Sequence, residues 1–175
     1  MQGLVDQIEK GSQAAAPVTP VPAAPEAEKS AQSTMTISEE DKPLILDFIN
    51  EATEHVESCE AGLLALENKS GDKDTLNLIF RAFHTIKGMA GFLNLVEIGS
   101  LAHSAENLLD LARKGEMVLA GKNMDAIFES VDLMKKMIAS LKGSVETGLP
   151  ISSQPQLPEL IKKLKAGGYK GYLSL

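Results

Sequence analysis

"LNLIFRAFHTIKGMAGFLNLVEIGSLAHSAENLLDLARKG", residues 76–115, contains two helical patterns that meet at Asn94. On both sides of Asn94, apolar residues recur three and four positions apart, which is the period of an α-helix with one buried face. These residues are Leu76, Ile79, Phe80, Phe83, Ile86 and Ala90 before Asn94, and Ile98, Leu101, Ala105, Leu108, Leu109 and Ala112 after it. A short connection makes successive helices antiparallel, so the stretch predicts a helical hairpin.

A further helical pattern lies on each side of this hairpin. "SEED" at 38–41 has the spacing of a capping box and opens a long apolar run that ends by "NKSGD" at 68–72. Another pattern runs from about Asn123 to Lys142 with heptad-like spacing. Tryptophan is absent, and five Phe and two Tyr are few for a sandwich or barrel. The sequence therefore predicts an all-α fold, an antiparallel up-and-down four-helix bundle with flexible tails.

Polar residues mark the expected ends of the two hairpin helices. Asp72 or Asp74 is predicted to cap the second helix of the bundle, since a short carboxylate can accept from the first free N–H groups. Asn94, with Glu97 three residues later, is predicted to start the third helix, and "RKG" at 113–115 is predicted to end it.

The composition divides the chain into four segments. Residues 1–36 are predicted to be a disordered Ala/Pro-rich linker, because such a composition cannot bury enough apolar surface to offset its ordering entropy. The bundle is assigned to 37–142, and a second linker to 143–158. The last segment, 159–175, is short but has helical potential. Two linkers around one periodic region are typical of a module from a longer multidomain protein.

Charge and cysteine content exclude several classes of function. The formal net charge of −7 disfavours nucleic acid or an anionic membrane as a partner, because both require a basic surface. Cys59 is the only cysteine, which excludes an intramolecular disulfide, and its helical spacing predicts a core position. The sequence contains no apolar run of the ~20 residues that span a bilayer, and it has no signal peptide pattern. We therefore expect a cytoplasmic protein without membrane insertion.

Three polar residues of the hairpin are predicted to lie at similar heights. His84 precedes Asn94 by ten residues, and on the other side His103 and Glu106 follow it at nine and twelve, so the three fall within about one helical turn. Lys87 shares the face of His84. If the two faces meet, Glu106 can accept a hydrogen bond from one ring nitrogen of His84 and leave the other nitrogen nucleophilic.

This arrangement lacks the serine or cysteine of a hydrolase triad, so His84 itself is predicted to be the nucleophile. Lys87 is placed to neutralise the oxygens of an incoming phosphoryl group. Gly88 and Gly91 each cost a helix roughly 1 kcal/mol relative to alanine, which a docking face free of side-chain bulk would explain. Tight helix packing at Gly88 and an ordinary surface role for Lys87 are the alternatives.

"FHTIKGMAGFLNL" at 83–95, together with "LAHSAENLLDLARKGE" at 101–116, closely resembles the histidine phosphotransfer (HPt, P1) domain of CheA-type chemotaxis histidine kinases. The resemblance spans about 37–142 and implies that His84 accepts a phosphoryl group. It further implies that Lys87, His103 and Glu106 form the hydrogen-bonding and electrostatic network of that histidine.

The same resemblance implies the partners. A separate ATP-binding kinase domain, which uses ATP and Mg, would phosphorylate the histidine, and CheY- or CheB-like receiver domains of response regulators would take the phosphoryl group onto an aspartate. The chain has no glycine-rich ATP lid, so we expect it to bind no cofactor and to act as a phosphocarrier, a part of a transferase rather than a complete kinase.

Two other classes of function remain open at this point. His84, His103 and Glu106 could be metal ligands inside a bundle, although only one His and Glu pair exists, in the reverse of the usual order and beside a lysine. Alternatively, the bundle could be a purely structural or docking module.

Overall fold

The computed structural model describes residues 36–69 and 71–171, with side chains up to residue 168. Within these ranges the chain forms five helices and no strand, which confirms the predicted all-α bundle. The helices are α1 (Lys42–Asn68), α2 (Lys73–Phe92), α3 (Val96–Arg113), α4 (Lys122–Thr147) and α5 (Leu157–Gly171). No helix in the described part of the chain is both long enough and apolar enough to cross a membrane.

The first four helices close into a ring around one apolar core. Each contacts the next along the chain, and α1 also contacts α4, while α5 packs on the outside against α3 and α4. The largest fully buried side chains come from all five helices: Leu63, Leu66, Ile79, Phe83, Ile86, Leu101, Leu108, Leu109, Ile127, Met134, Leu141 and Leu164. Cys59 lies in this core as predicted, and burial raises the pKa of its thiol to about 12, so the thiol stays protonated at neutral pH.

A side-chain cap marks the start of α2 but not that of α1. Ser38 Oγ accepts from the Asp41 N–H at 3.2 Å, as the capping-box spacing suggested, but it closes a turn ahead of α1. The helix itself starts at Lys42, with Pro43 in its first turn, where a missing N–H is harmless. Asp72 is the N-cap of α2, since its carboxylate accepts from the Thr75 N–H at 3.1 Å.

Asn94 ends α2 and does not start α3, which corrects the prediction. Its φ is 58°, the left-handed conformation that Asn tolerates better than most residues. The Leu95 N–H donates to the Ala90 carbonyl at 2.9 Å, and the Asn94 N–H donates to that of Gly91 at 3.3 Å. This pair of bonds is a Schellman motif with asparagine in the usual glycine position. The helix α3 then begins at Val96 without a side-chain cap.

The C-terminal part of the chain also differs from the prediction of a linker at 143–158. The helix α4 continues past Lys142 to Thr147, because Ser144 and Val145 are buried, and it stops where Gly148 adopts a φ of 70°. Of the predicted linker at 143–158, only residues 148–156 lie outside a helix. The predicted disordered linker at 1–36 lies, apart from its last residue, outside the described residues.

Residues 159–171 of the segment predicted at 159–175 belong to α5, which packs against α3 and α4, and residues 172–175 lie outside the described residues. Its apolar residues Leu157, Leu160 and Leu164 are buried. Backbone contact is close at Gly167, where an added Cβ would lie 3.1 Å from Leu108 Cδ1 of α3. The amphipathic spacing of these leucines indicates a helix. It does not show that their apolar face packs against α3 and α4.

We expect Leu164→Ala to lower the free energy of unfolding by about 2–5 kcal/mol, because it removes a fully buried side chain and leaves a cavity. The matched control is Leu149→Ala, in the connection before α5, where the leucine is 65% exposed. That change should stay within about 0.5 kcal/mol. Chemical denaturation followed by circular dichroism measures both. If Leu164→Ala lowered the free energy of unfolding as little as Leu149→Ala, α5 would not contribute to the core.

Candidate functional site

The hairpin of α2 and α3 brings three of the predicted site residues into contact. His84 Nδ1 lies 2.7 Å from Glu106 Oε1, although the two residues are 22 positions apart in the sequence. The Lys87 ammonium lies 2.6 Å from Glu106 Oε2, so one carboxylate joins both residues of α2. The Schellman turn at Asn94 sets this register, because it fixes how far α3 runs back along α2.

The carboxylate lies below the surface and the imidazole lies on it. The side chain of Glu106 is 10% exposed, that of Lys87 is 32% exposed, and that of His84 is 60% exposed. A partner protein therefore meets the imidazole first. The carboxylate lies beneath it, in contact with His84 and Lys87.

The charge state of Glu106 decides the tautomer of His84. Burial by itself would raise the pKa of the Glu106 carboxyl, but hydrogen bonds with His84 and Lys87 and the charges of both residues outweigh it and lower the pKa. The group is therefore ionised at neutral pH and can only accept. Nδ1 of His84 must carry the proton, which leaves the lone pair of the neutral ring on Nε2, the nitrogen away from the carboxylate.

His103 does not join this group through a hydrogen bond. Its side chain is exposed, and Nε2 lies 3.3 Å from the Asn107 side-chain amide, one turn further along α3. Among the described residues, no hydrogen bond or ion pair connects His103 to His84, Lys87 or Glu106. Equal distance from the turn placed it at the right height, but that criterion carries no information about the direction of the side chain.

Gly88 and Gly91 lie on the exposed side of α2, the side that carries His84. A Cβ added to either would meet no atom within 4 Å, so neither glycine is needed for helix packing. Gly62 of α1 shows the opposite case, because a Cβ there would lie 3.0 Å from Ile79 Cγ1. The open surface agrees with the docking interpretation of Gly88 and contradicts the packing alternative.

Two residues that the sequence did not single out as functional lie against His84. Phe80 was expected in the buried stripe, but it is only half-buried, and its ring stacks on the imidazole with centroids 5.9 Å apart and planes at 19°. The Arg113 guanidinium of α3 lies 4.1 Å from the centroid of the same phenyl ring. The spacing of four residues between Phe80 and His84 is the signal that could have indicated this contact.

The site is poorly suited to a metal ion. In the described part of the chain, no group of three or more His, Cys, Asp or Glu residues is arranged to hold one. Both oxygens of Glu106 already face His84 and Lys87, and the lysine ammonium would repel a cation. The geometry therefore does not favour the metal alternative.

Comparison with known proteins gives a consistent result. The Hpt domain family model matches residues 43–144, which is more than half of the chain. The sensor histidine kinase CheAY of Helicobacter pylori is 38% identical over 122 residues, which cover 69% of this chain and 15% of that protein. The chain thus spans only a small part of this relative.

Two solved structures share the fold. The CheA phosphotransferase domain from Thermotoga maritima superposes with a TM-score of 0.56 at 34% identity, covering 58% of this chain and 96% of that one. The phosphorylated P1 domain of CheA3, solved in complex with CheY6 from R. sphaeroides, has a TM-score of 0.64 at 22% identity and covers 74% and 98%. On the family match, supported by this sequence relative and the T. maritima domain, the chain belongs to the Hpt domain family, as a phosphotransfer domain of the CheA type.

Proposed function

We propose that His84 accepts a phosphoryl group on Nε2 from the ATP-binding domain of a CheA-type kinase and passes it to an aspartate of a response-regulator receiver domain. The observation that carries this proposal is the 2.7 Å hydrogen bond from Nδ1 to a buried, ionised carboxylate, made by a ring that is itself 60% exposed. It leaves a nucleophilic nitrogen where another protein can reach it.

In the first step, the Nε2 lone pair attacks the γ-phosphorus of ATP held by the kinase domain. The N–P bond forms while the bond from phosphorus to the leaving oxygen of ADP breaks, and Nδ1 keeps its proton. The ring becomes cationic as it bonds to phosphorus. The Glu106 carboxylate, 2.7 Å away, stabilises this positive charge and so favours the step.

In the second step, a carboxylate oxygen of the receiver aspartate attacks phosphorus, the P–Nε2 bond breaks, and its electron pair returns to the ring. Glu106 holds the proton on Nδ1 throughout, so the ring leaves as the tautomer that started the cycle. Lys87 lies one turn from His84 and provides a positive charge beside the phosphoryl oxygens. The Glu106 carboxylate, 2.6 Å from the ammonium, neutralises part of this charge.

The complete signalling reaction requires partners beyond this chain. The proposed donor domain uses ATP and Mg, and this chain is proposed to bind neither. The proposed acceptor is a CheY- or CheB-like receiver domain, a class that includes CheY6, the partner of the CheA3 P1 domain in its solved complex. Because the proposed donor uses ATP, we also propose a cytoplasmic location.

The direct test is to incubate the protein with Mg-ATP and the ATP-binding core of a CheA-type kinase, and to measure intact mass. We expect the mass of one phosphoryl group to be added, and we expect His84→Gln to abolish the addition. His103→Gln is the matched control, because His103 is the other exposed histidine of the hairpin and makes no bond to Glu106. Addition to the His84→Gln variant would contradict the assignment.

Glu106→Gln should slow phosphorylation of His84 by at least about tenfold, since a wrongly oriented tautomer in a carboxylate and imidazole pair can cost far more. The amide can donate to Nδ1 instead of accepting from it, and it removes the charge that stabilises the cationic ring. Quench-flow measurement of phosphoprotein formation checks the rate, and circular dichroism checks that the variant is folded. Unchanged kinetics in a folded variant would rule out this role.

We also expect the stability difference between wild type and Glu106→Gln to depend on pH. The pKa of Glu106 in the folded chain lies below the ordinary value of 4.5, so its ionised form stabilises the fold above that pH. This contribution is lost as the pH falls through the lowered pKa. The difference in unfolding free energy between wild type and Glu106→Gln should therefore be largest near neutral pH and shrink below about pH 4.5. A difference that stays constant with pH would contradict it.

Gly88→Leu should block phosphotransfer while keeping or slightly raising the thermal stability. The new side chain occupies the open face beside His84, and leucine is the better helix former by somewhat under 1 kcal/mol. Gly143→Leu in α4 is the matched control, because its Cβ also meets nothing within 4 Å but it lies outside the hairpin. Transfer rates and melting temperatures separate the two effects. Normal transfer by Gly88→Leu would mean that docking does not use this face.

A further inference from the structure

The hydrogen bond to Glu106 fixes one atom of the His84 ring but does not fix the plane of the ring. The side chain is 60% exposed, so packing restrains it little. The second side-chain torsion of histidine is broad, and a ring anchored at one nitrogen can still tilt about that contact. A tilt would redirect the Nε2 lone pair, which lies in the ring plane. In-line displacement at phosphorus depends on that direction.

Phe80 provides the second restraint. Its ring lies one helical turn before His84 on α2 and stacks on the imidazole with centroids 5.9 Å apart and planes at 19°. Phe80 is half-buried and packs against the apolar core, so its own position is defined by the bundle. One contact acts in the imidazole plane at Nδ1, and the other acts on the face of the ring.

Arg113 holds Phe80 from the neighbouring helix. Its guanidinium lies 4.1 Å from the centroid of the phenyl ring, within the range of a cation–π contact. Asp110 orients this guanidinium through an ion pair of 2.6 Å to Nη2, and Lys114 lies 2.6 Å from the other oxygen of the same carboxylate. Residues of α3 therefore restrain the imidazole in two ways, directly through Glu106 and indirectly through Arg113 and Phe80.

We propose that Phe80 is a positioning residue for the phosphotransfer histidine, and that Arg113 fixes Phe80 in the orientation that aims His84 Nε2 outward. The inference rests on the proposed function, because the ring plane matters only if Nε2 is the reacting atom. Phe80 does not touch the phosphoryl group. It acts through the imidazole, by restricting the tilt of the ring. The tilt sets the direction of the Nε2 lone pair and keeps Nδ1 in line with the Glu106 carboxylate, which selects the tautomer.

The test compares Phe80→Leu, which keeps an apolar core contact but removes the flat ring, with Phe80→Tyr, which keeps the ring. Arg113→Met removes the cation without altering Phe80. Leu78→Ala is the matched control, since Leu78 lies on α2 and is half exposed. Two readouts are measured on each folded variant: the fraction of His84 protonated at Nδ1, from ¹⁵N chemical shifts of the imidazole, and the rate of phosphorylation.

The rate is measured with two donors. One is the kinase core with Mg-ATP. The other is phosphoramidate, a small phosphodonor that needs no protein docking and from which ammonia leaves as its P–N bond breaks and the P–Nε2 bond forms. We expect Phe80→Leu to lower the Nδ1-protonated fraction and to slow both reactions by about tenfold, less than the ~100-fold that a 1 Å misplacement can cost. Arg113→Met should act in the same direction but less strongly, and Phe80→Tyr and Leu78→Ala should match wild type.

The outcomes separate the possible explanations. Unchanged tautomer and rates in folded Phe80→Leu would overturn the proposal. Slowing only with the kinase core would also overturn it, because it would identify Phe80 as a docking contact. If Phe80→Leu does not fold, unchanged values in Arg113→Met overturn it instead. If wild type is not phosphorylated by either donor, the proposed function fails, while the ¹⁵N shifts still decide whether Phe80 orients the imidazole.

Discussion

The structure of this site depends on placing one carboxylate below the surface. The side chain of Glu106 is only 10% exposed, and taking a carboxylate out of water is unfavourable unless it is paired. Both of its partners, His84 and Lys87, come from α2, whereas Glu106 belongs to α3. The two helices must therefore keep a fixed register, and any shift between them leaves a buried charge without its partners. The electrostatics of one side chain thus constrain the hairpin as a whole.

Much of the hairpin could be predicted from local sequence. The apolar period identified both helices, and counting residues from Asn94 placed His84 and Glu106 at matching heights, where the structure joins them. The same counting did not give the hydrogen-bond partner of His103, because height along a helix does not specify the direction of a side chain. Asn94 itself was assigned to the wrong helix. Its side chain suits an N-cap equally well, and only the backbone bonds of the turn reveal a Schellman motif.

The elements that were missed depend on tertiary contacts. The helix α5 was predicted only as a short segment with helical potential. Its leucines are buried by contact with α3 and α4, and local sequence cannot show such a contact. The open space around Gly88 and the close packing at Gly62 are similarly indistinguishable in sequence, since both glycines lie within helices. The difference is set by the neighbouring helix. A glycine facing a partner helix avoids a clash, whereas a glycine facing solvent leaves room for another molecule.

The Schellman turn at Asn94 has a consequence for how homologous chains can vary in length. One residue inserted or deleted between Gly91 and Val96 would break the two hydrogen bonds of this turn. Each residue of shift along α3 then turns its face by roughly 100°, which moves Glu106 away from α2. Loops normally tolerate such indels, because their length rarely changes the core. Here the gap-free segment should extend from His84 through Glu106, and length variation should collect in the other connections, such as 148–156. The spacing between these two residues is therefore as much a part of the site as the residues themselves.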